Sequence, residues 1–177
     1  IGVYIDGNGN QVLGNYIGTN AAGTAALRND STGVLIMGSN NTIGGTTAGA
    51  RNIISANGGD GVFIVGGPTG NQVLGNYIGT DATGTVILGN AVTGVGIDFA
   101  SSNAVGGTAA GAGNLIVGNS SAGVLVRDSN RNAIRGNAIR ANTGLGIDLT
   151  ATSPPDGVTP NDSGDGDTGP NNLQNFP

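Results

Sequence analysis

The string GNQVLGNYIGT stands at 9–19 and again at 70–80, an offset of 61 residues. Its flanks repeat as well: GVLI at 33–36 returns as GVGI at 94–97, and NTIGGTTAGA at 41–50 returns as NAVGGTAAGA at 103–112. A degraded third copy, NAIRGNAI at 132–139, follows NQVLGNYI at 71–78 by the same 61. Self-similarity at a fixed period specifies stacked units, each burying its apolar face on its neighbours. Stacked arrays offer long surfaces more often than pockets, so the repeat also directs the search for function.

Aligning on Gly-Val-x-Ile splits the period into two coils, with units expected to begin at Gly2, Gly33, Gly61, Gly94, Gly123 and Gly144. The shortest unit, GVLVRDSNRNAIRGNAIRANT at 123–143, carries three β-type runs: Val124–Val126, Ala133–Arg135 and Ala138–Arg140. Apolar residues alternate with period two and Gly punctuates every few residues, so helix is excluded. In register, Val3, Val34, Val62, Val95, Val124 and Leu145 form one column, and Ile5, Ile36, Ile64, Ile97, Val126 and Ile147 a second. Val12, Ile43, Val73, Val105 and Ile134 form a third; Ile17, Ile54, Ile78, Ile116 and Ile139 form a fourth. Side chains two apart share a strand face, so these columns make one interior. The expected fold is all-β: a three-sided parallel solenoid of about six coils over 1–150, rising ~4.8 Å per coil into a rod of roughly 25–30 Å. Residues 151–177, rich in Pro, Asp and Gly, are expected to form an extended C-terminal cap or linker.

Asn marks the corners. Asn10, Asn41, Asn71, Asn103 and Asn132 each precede a core residue by two, as do Asn15, Asn52, Asn76, Asn114 and Asn137. Sharing the parity of the core, both sets should point inward and form ladders that satisfy backbone groups of adjacent coils. A further set, Asn29, Asn57, Asn90 and Asn119, sits four residues before the next Gly-Val. Odd coils add IGTNAAGT (17–24) or IGTDATGT (78–85), and even coils add GGTTAGA (44–50) or GGTAAGA (106–112). These read as compact surface loops on alternate levels. Without a following helix or a Lys, their glycines do not read as a phosphate loop.

Composition excludes several functions. The chain has 36 Gly and 23 Asn but no Lys, Glu, His, Cys or Trp, and a net charge of −5. Lacking a basic stripe, it is not expected to bind nucleic acid. No apolar run approaches the ~20 residues of a membrane helix, so membrane insertion is not expected. The absence of Cys removes disulfides and thiolate chemistry. Beginning in mid-repeat without Met, the sequence reads as a piece of something longer.

The pattern NxVxGNxIGTDxxGT…GVxI…NTIGGT resembles the right-handed parallel β-helix repeats of large secreted and cell-surface bacterial proteins, over nearly all of residues 1–150. The resemblance implies a right-handed solenoid and an extracellular or cell-surface location. Right-handed β-helices also include pectin-active enzymes, alginate epimerases and phage tailspikes. The catalytic His and Arg-x-Lys motif of the pectin hydrolases, and the Asp-Pro-His motif of the epimerases, have no counterpart here.

Two kinds of candidate site follow from the outward positions. Asp98, Arg127 and Asp148 are expected to stack in one column, with Gly96 and Gly146 leaving a shallow floor beside Leu125. Carboxylates two coils apart, roughly 10 Å, approach the spacing of an inverting glycosidase pair. An intervening Arg also makes a surface charge ladder, because it holds both acids ionised. Two apolar outer patches read as association surfaces: Tyr4, Leu35, Met37, Phe63 and Val65 on the first sheet, and Tyr16, Ile53, Tyr77, Leu115 and Val117 on the third. Inserted loops folding over those patches are the competing reading.

In the tail, Asn161, Asp162, Asp165 and Asp167 have the oxygen density of a Ca²⁺ loop, against the alternative of a solvated acidic linker. No other cofactor is expected. Four of the six Arg (Arg127, Arg131, Arg135, Arg140) crowd the fifth coil, and the acidic tail is expected to fold back across them. The leading expectation is a non-catalytic extracellular scaffold, a segment of a surface protein, stalk or filament. It would self-associate through solenoid ends or apolar faces, or join neighbouring modules of a longer chain. The alternatives are a carbohydrate-active β-helix (polysaccharide lyase or hydrolase) on the Asp98/Arg127/Asp148 face, and a glycan-binding adhesin that uses Tyr16 and Tyr77.

Overall fold

Gly and Asn interrupt the apolar runs so often that, among the described residues, no strand exceeds four residues, and the chain must turn after each one. The computed structural model describes residues 1–151 and 170–173. The first coil comprises β1 (Val3–Ile5), β2 (Gln11–Val12) and β3 (Tyr16–Ile17). The second comprises β4 (Val34–Ile36), β5 (Thr42–Gly44) and β6 (Ile53–Ile54), and the third β7 (Val62–Val65), β8 (Gln72–Leu74) and β9 (Tyr77–Ile78). In the fourth are β10 (Val95–Asp98), β11 (Ala104–Gly106) and β12 (Leu115–Val117). The fifth holds β13 (Val124–Arg127), β14 (Ala133–Arg135) and β15 (Ala138–Arg140), and β16 (Ile147–Thr150) opens the sixth.

Every third strand pairs, in parallel and in register. The first sheet runs β1-β4-β7-β10-β13-β16, the second β2-β5-β8-β11-β14 and the third β3-β6-β9-β12-β15. Parallel register puts like on like, as Val3 on Val34 and Ile5 on Ile36. The expected columns close into one core in which Val34, Ile43, Ile54, Ile64, Val73, Ile78, Val105 and Ile116 are wholly buried. Branched side chains suit such strands, and burying each contributes about 1.5–3 kcal/mol.

The sixth coil departs from expectation. Across β13 and β16 the register is Val124↔Ile147, Leu125↔Asp148, Val126↔Leu149 and Arg127↔Thr150. Gly146, not Gly144, therefore opens the coil, and Ile147 and Leu149 take the core positions assigned to Leu145 and Ile147. Gly144-Leu145 and Gly146-Ile147 satisfy the sequence pattern equally. The backbone chooses the second, with the N–H of Val124 bonded to the carbonyl of Gly146.

Candidate functional site

The Asn sets are inward-facing ladders with a fixed polarity. In the second-sheet set, each backbone N–H and each Nδ2 donates to Oδ1 of the Asn one coil further on. Asn41 thus gives 2.8 and 3.1 Å bonds to Asn71, and Asn71 gives 2.9 and 3.0 Å bonds to Asn103. The same step links Asn10 to Asn41 and Asn103 to Asn132. Asn15, Asn52, Asn76, Asn114 and Asn137 form the same kind of ladder, and the Nδ2 groups of Asn52, Asn76, Asn114 and Asn137 also reach back to strand carbonyls, as Asn76 does to Ile43 at 2.8 Å.

Two ladder residues were missed from sequence. Asn142 ends the third ladder, Asn29–Asn57–Asn90–Asn119–Asn142, accepting from the Asn119 N–H at 3.0 Å. It stands four before Gly146, the spacing of its set, and was hidden by the misplaced start of the sixth coil. Asn171 extends the second-sheet ladder from outside the repeat: its Oδ1 accepts from the Asn132 N–H at 2.7 Å. The mark available for it is Asn171 two before Leu173, the spacing of its set.

The expected three-level charge column has two members. Arg127 pairs with Asp98, its Nε donating to Oδ1 at 3.0 Å and its Nη2 to Oδ2. Asp98 is buried, and its hydrogen bonds hold the Arg127 guanidinium above its ordinary pKa. Asp148 lies opposite Leu125 instead, so it is not the second carboxylate of this column. The Gly96 floor is filled: a Cβ there would stand 2.9 Å from Phe63 Cδ2, so the ring lies over this glycine. Gly146 takes the opening position of its coil, not the outward one. Ahead of β7, Asp60 accepts from the Thr93 N–H at 3.0 Å and from its hydroxyl. Burial pushes the Asp60 carboxyl up, while the Thr93 bonds and the charge of Arg127 oppose the shift.

Next to Asp98, Phe99 has a left-handed backbone, φ 47°, and is 60% exposed. Its N–H bonds to the Arg127 carbonyl as that of Gly66 does to Asp98, so a bulky residue occupies a position that Gly fills one coil earlier. Asp128, the equivalent residue one coil later, has φ 46°, so the left-handed backbone belongs to this turn position.

The two apolar patches separate. On the third sheet the odd-coil loops fold inward: a Cβ at Gly23 would meet the Tyr16 ring at 2.6 Å, and one at Gly84 would meet Tyr77 at 2.9 Å and Leu115 at 3.0 Å. Arg51 stacks on Tyr77 at 4.0 Å, and Ile53 and Val117 are buried rather than outward-exposed. Only Tyr16 remains widely open there. On the first sheet Tyr4 is 55% and Met37 44% exposed, and Leu35, Phe63 and Val65 are half-buried. Tyr4 Oη donates to Met37 Sδ at 3.3 Å. The calcium candidates Asn161, Asp162, Asp165 and Asp167 lie outside the described residues.

Stacked parallel sheets with three buried Asn ladders define a three-sided parallel β-solenoid. No family model, curated protein or solved structure matches the chain.

Proposed function

We propose that this chain is a non-catalytic extracellular scaffold, a rigid segment of a surface protein or filament that associates through the outer face of its first sheet. The observation that carries the reading is the contrast between sheets. In the third-sheet patch Ile53 and Val117 are buried and Tyr77 and Leu115 lie against the loop at Gly84, whereas Tyr4, Leu35, Met37, Phe63 and Val65 form an apolar face with every member exposed or half-exposed. Faces of this kind mark partner surfaces. The resemblance to right-handed β-helix repeats of bacterial surface proteins supports both the location and the handedness. Sedimentation velocity with negative-stain microscopy tests it. Rods that pair with rising concentration, and that separate in a Tyr4→Asp/Phe63→Asp variant, are the supporting result; a monomer at every concentration in both proteins refutes it.

A second reading, glycan binding, rests on Phe63 lying over Gly96 beside the Asp98–Arg127 pair, with exposed Phe99 adjacent. An aromatic platform flanked by a charged hydrogen-bonding pair suits the apolar face and hydroxyl edge of a sugar. Affinity electrophoresis through neutral and acidic polysaccharides would show retardation lost in Phe63→Ala and Phe99→Ala. Equal mobility of all three proteins removes this reading.

A further inference from the structure

At the C-terminal end of the second sheet, the ladder ends on a residue that belongs to no repeat. Asn171 Oδ1 accepts from the Asn132 N–H at 2.7 Å, Asn171 Nδ2 donates to the Asn132 carbonyl at 2.8 Å, and the Asn171 N–H donates to the Ser129 carbonyl at 2.6 Å. The first of these is the bond that Asn103 makes to Asn132 at 2.9 Å one level earlier. Asn171 holds a left-handed backbone, φ 53°, which Asn tolerates better than most residues, and Pro170 beside it is buried. Below the socket lies β14, the last strand of its sheet among the described residues, with a half-buried core residue, Ile134, where inner equivalents are wholly buried.

We infer that Asn132 and Ser129 form a docking socket for an Asn-led segment, and that Asn171, held in the 3₁₀ turn Pro170–Leu173, fills it in cis as a surrogate rung. The chemistry is specific. The socket presents one N–H and two carbonyls, so it requires a side chain that accepts and donates at once, together with a free backbone N–H. An amide meets that requirement; a carboxylate lacks the donor and an ammonium lacks the acceptor. An unfilled socket would leave Asn132, which is buried, with an unsatisfied N–H and carbonyl, and the edge of the sheet open to strand addition. The same socket therefore recognises a separate chain bearing Asn in this setting, in competition with the tethered segment. Tethering supplies an effective concentration of about millimolar, so a competitor in solution must reach that range. The inference is independent of the scaffold reading, because it concerns one local contact whether or not the rods associate.

The test uses the full chain, with the Asn132 amide followed by NMR hydrogen exchange. Asn171→Ala is expected to speed its exchange about tenfold while Asn41 and Asn71 amides keep their rates. Asn171→Gly keeps the left-handed backbone and the N–H to Ser129 but lacks the amide, and should expose Asn132 equally. Adding the synthetic peptide GPNNLQN at several millimolar to the Asn171→Ala chain should restore protection, and GPANLQN should not. Unchanged Asn132 exchange in both variants, full protection in Asn171→Gly, or equal action of the two peptides would each overturn the assignment.

Discussion

Arg127 holds Asp98 through two guanidinium nitrogens across the step from β10 to β13, with Asp98 buried and Arg127 partly open to water. Bidentate geometry lets the cation desolvate without losing its partner, and it fixes both side chains on the outer face of the first sheet. Arg127→Ala leaves a buried carboxylate unpaired. Removing one member of a fully buried pair costs about 3–5 kcal/mol; the 27% exposure of the Arg127 side chain admits some water, so about 2 kcal/mol is expected. In Asp98→Asn/Arg127→Leu, which has no charge to bury, most of that loss should be recovered. Urea denaturation of the single and double variants measures both; additive losses would refute the pairing.

The ladders predict a gradient from the middle of the rod to its first coil. Asn76 accepts from the Asn52 N–H and Nδ2 and donates to Ile43 and Asn114, all within the interior. Asn76→Ala strands several buried polar groups at about 1–3 kcal/mol each, for a total of about 3 kcal/mol or more. Asn15 is exposed, and its N–H bond to Asn52 survives truncation of its side chain. Asn15→Ala should therefore cost less than about 1 kcal/mol. Thermal unfolding of the two variants side by side reads the difference, and equal losses would mean that the ladders are not cooperative with depth.

How far residue order reveals such a structure depends on how much each side chain is constrained by its neighbours above and below. Val73 and Asn76 sit between like residues on both sides, so their columns were readable from spacing alone. The sixth coil has a neighbour on one side, and the Gly-x-apolar pattern repeats at Gly144 and Gly146. Asn142, four before Gly146 as Asn119 is before Gly123, carries the spacing that separates the two. The Asp98–Arg127 contact was legible because strand register fixes it, and Asp148 was misassigned through the same two-residue slip. The loop contacts on Tyr16 and Tyr77 were not legible, since loop direction is set by the hydrogen bonds of Asn20 and Asp81 and not by any period.

Asp81 organises the third-coil loop as Asn20 does the first. Its Oδ1 accepts from the Thr85 and Val86 N–H groups at 3.0 Å, and its carboxylate takes the Thr83 hydroxyl. The Val86 N–H, followed by the Thr83 and Thr85 contacts, lowers its pKa against a smaller opposing effect of burial. With the folded pKa below the ordinary 3.8, the loop's gain is complete above 3.8 and lost as pH falls through the folded value. Amide shifts of Thr85 and Val86 should therefore move in acid, below pH 3.8. Asp81→Asn should abolish that titration and keep the loop, as Asn20 bonds the Thr24 and Ala25 N–H groups without a charge. Amide shifts that still titrate in Asp81→Asn would assign the effect to another group.

The sixth-coil register is itself testable at two glycines and two leucines. A Cβ at Gly123 would stand 2.6 Å from the Gly146 carbonyl oxygen and 2.9 Å from Asn142 Nδ2, both fixed by the ladder and the strand pairing. Gly123→Ala must push the last coil away or break its bonds, an overpacking cost of about 1–3 kcal/mol. At Gly146 the nearest atom to a new Cβ is Ile139 Cγ2 at 3.7 Å, an ordinary contact. Gly146→Ala should thus leave stability within about 0.5 kcal/mol, and the added methyl falls on the exposed end of the core. If Gly144 opened the coil instead, Leu145 and not Leu149 would pack on the core. Denaturation midpoints of Leu149→Ala and Leu145→Ala separate the registers: the larger loss, about 1–2 kcal/mol, is expected in Leu149→Ala, and a larger loss in Leu145→Ala would refute the register described.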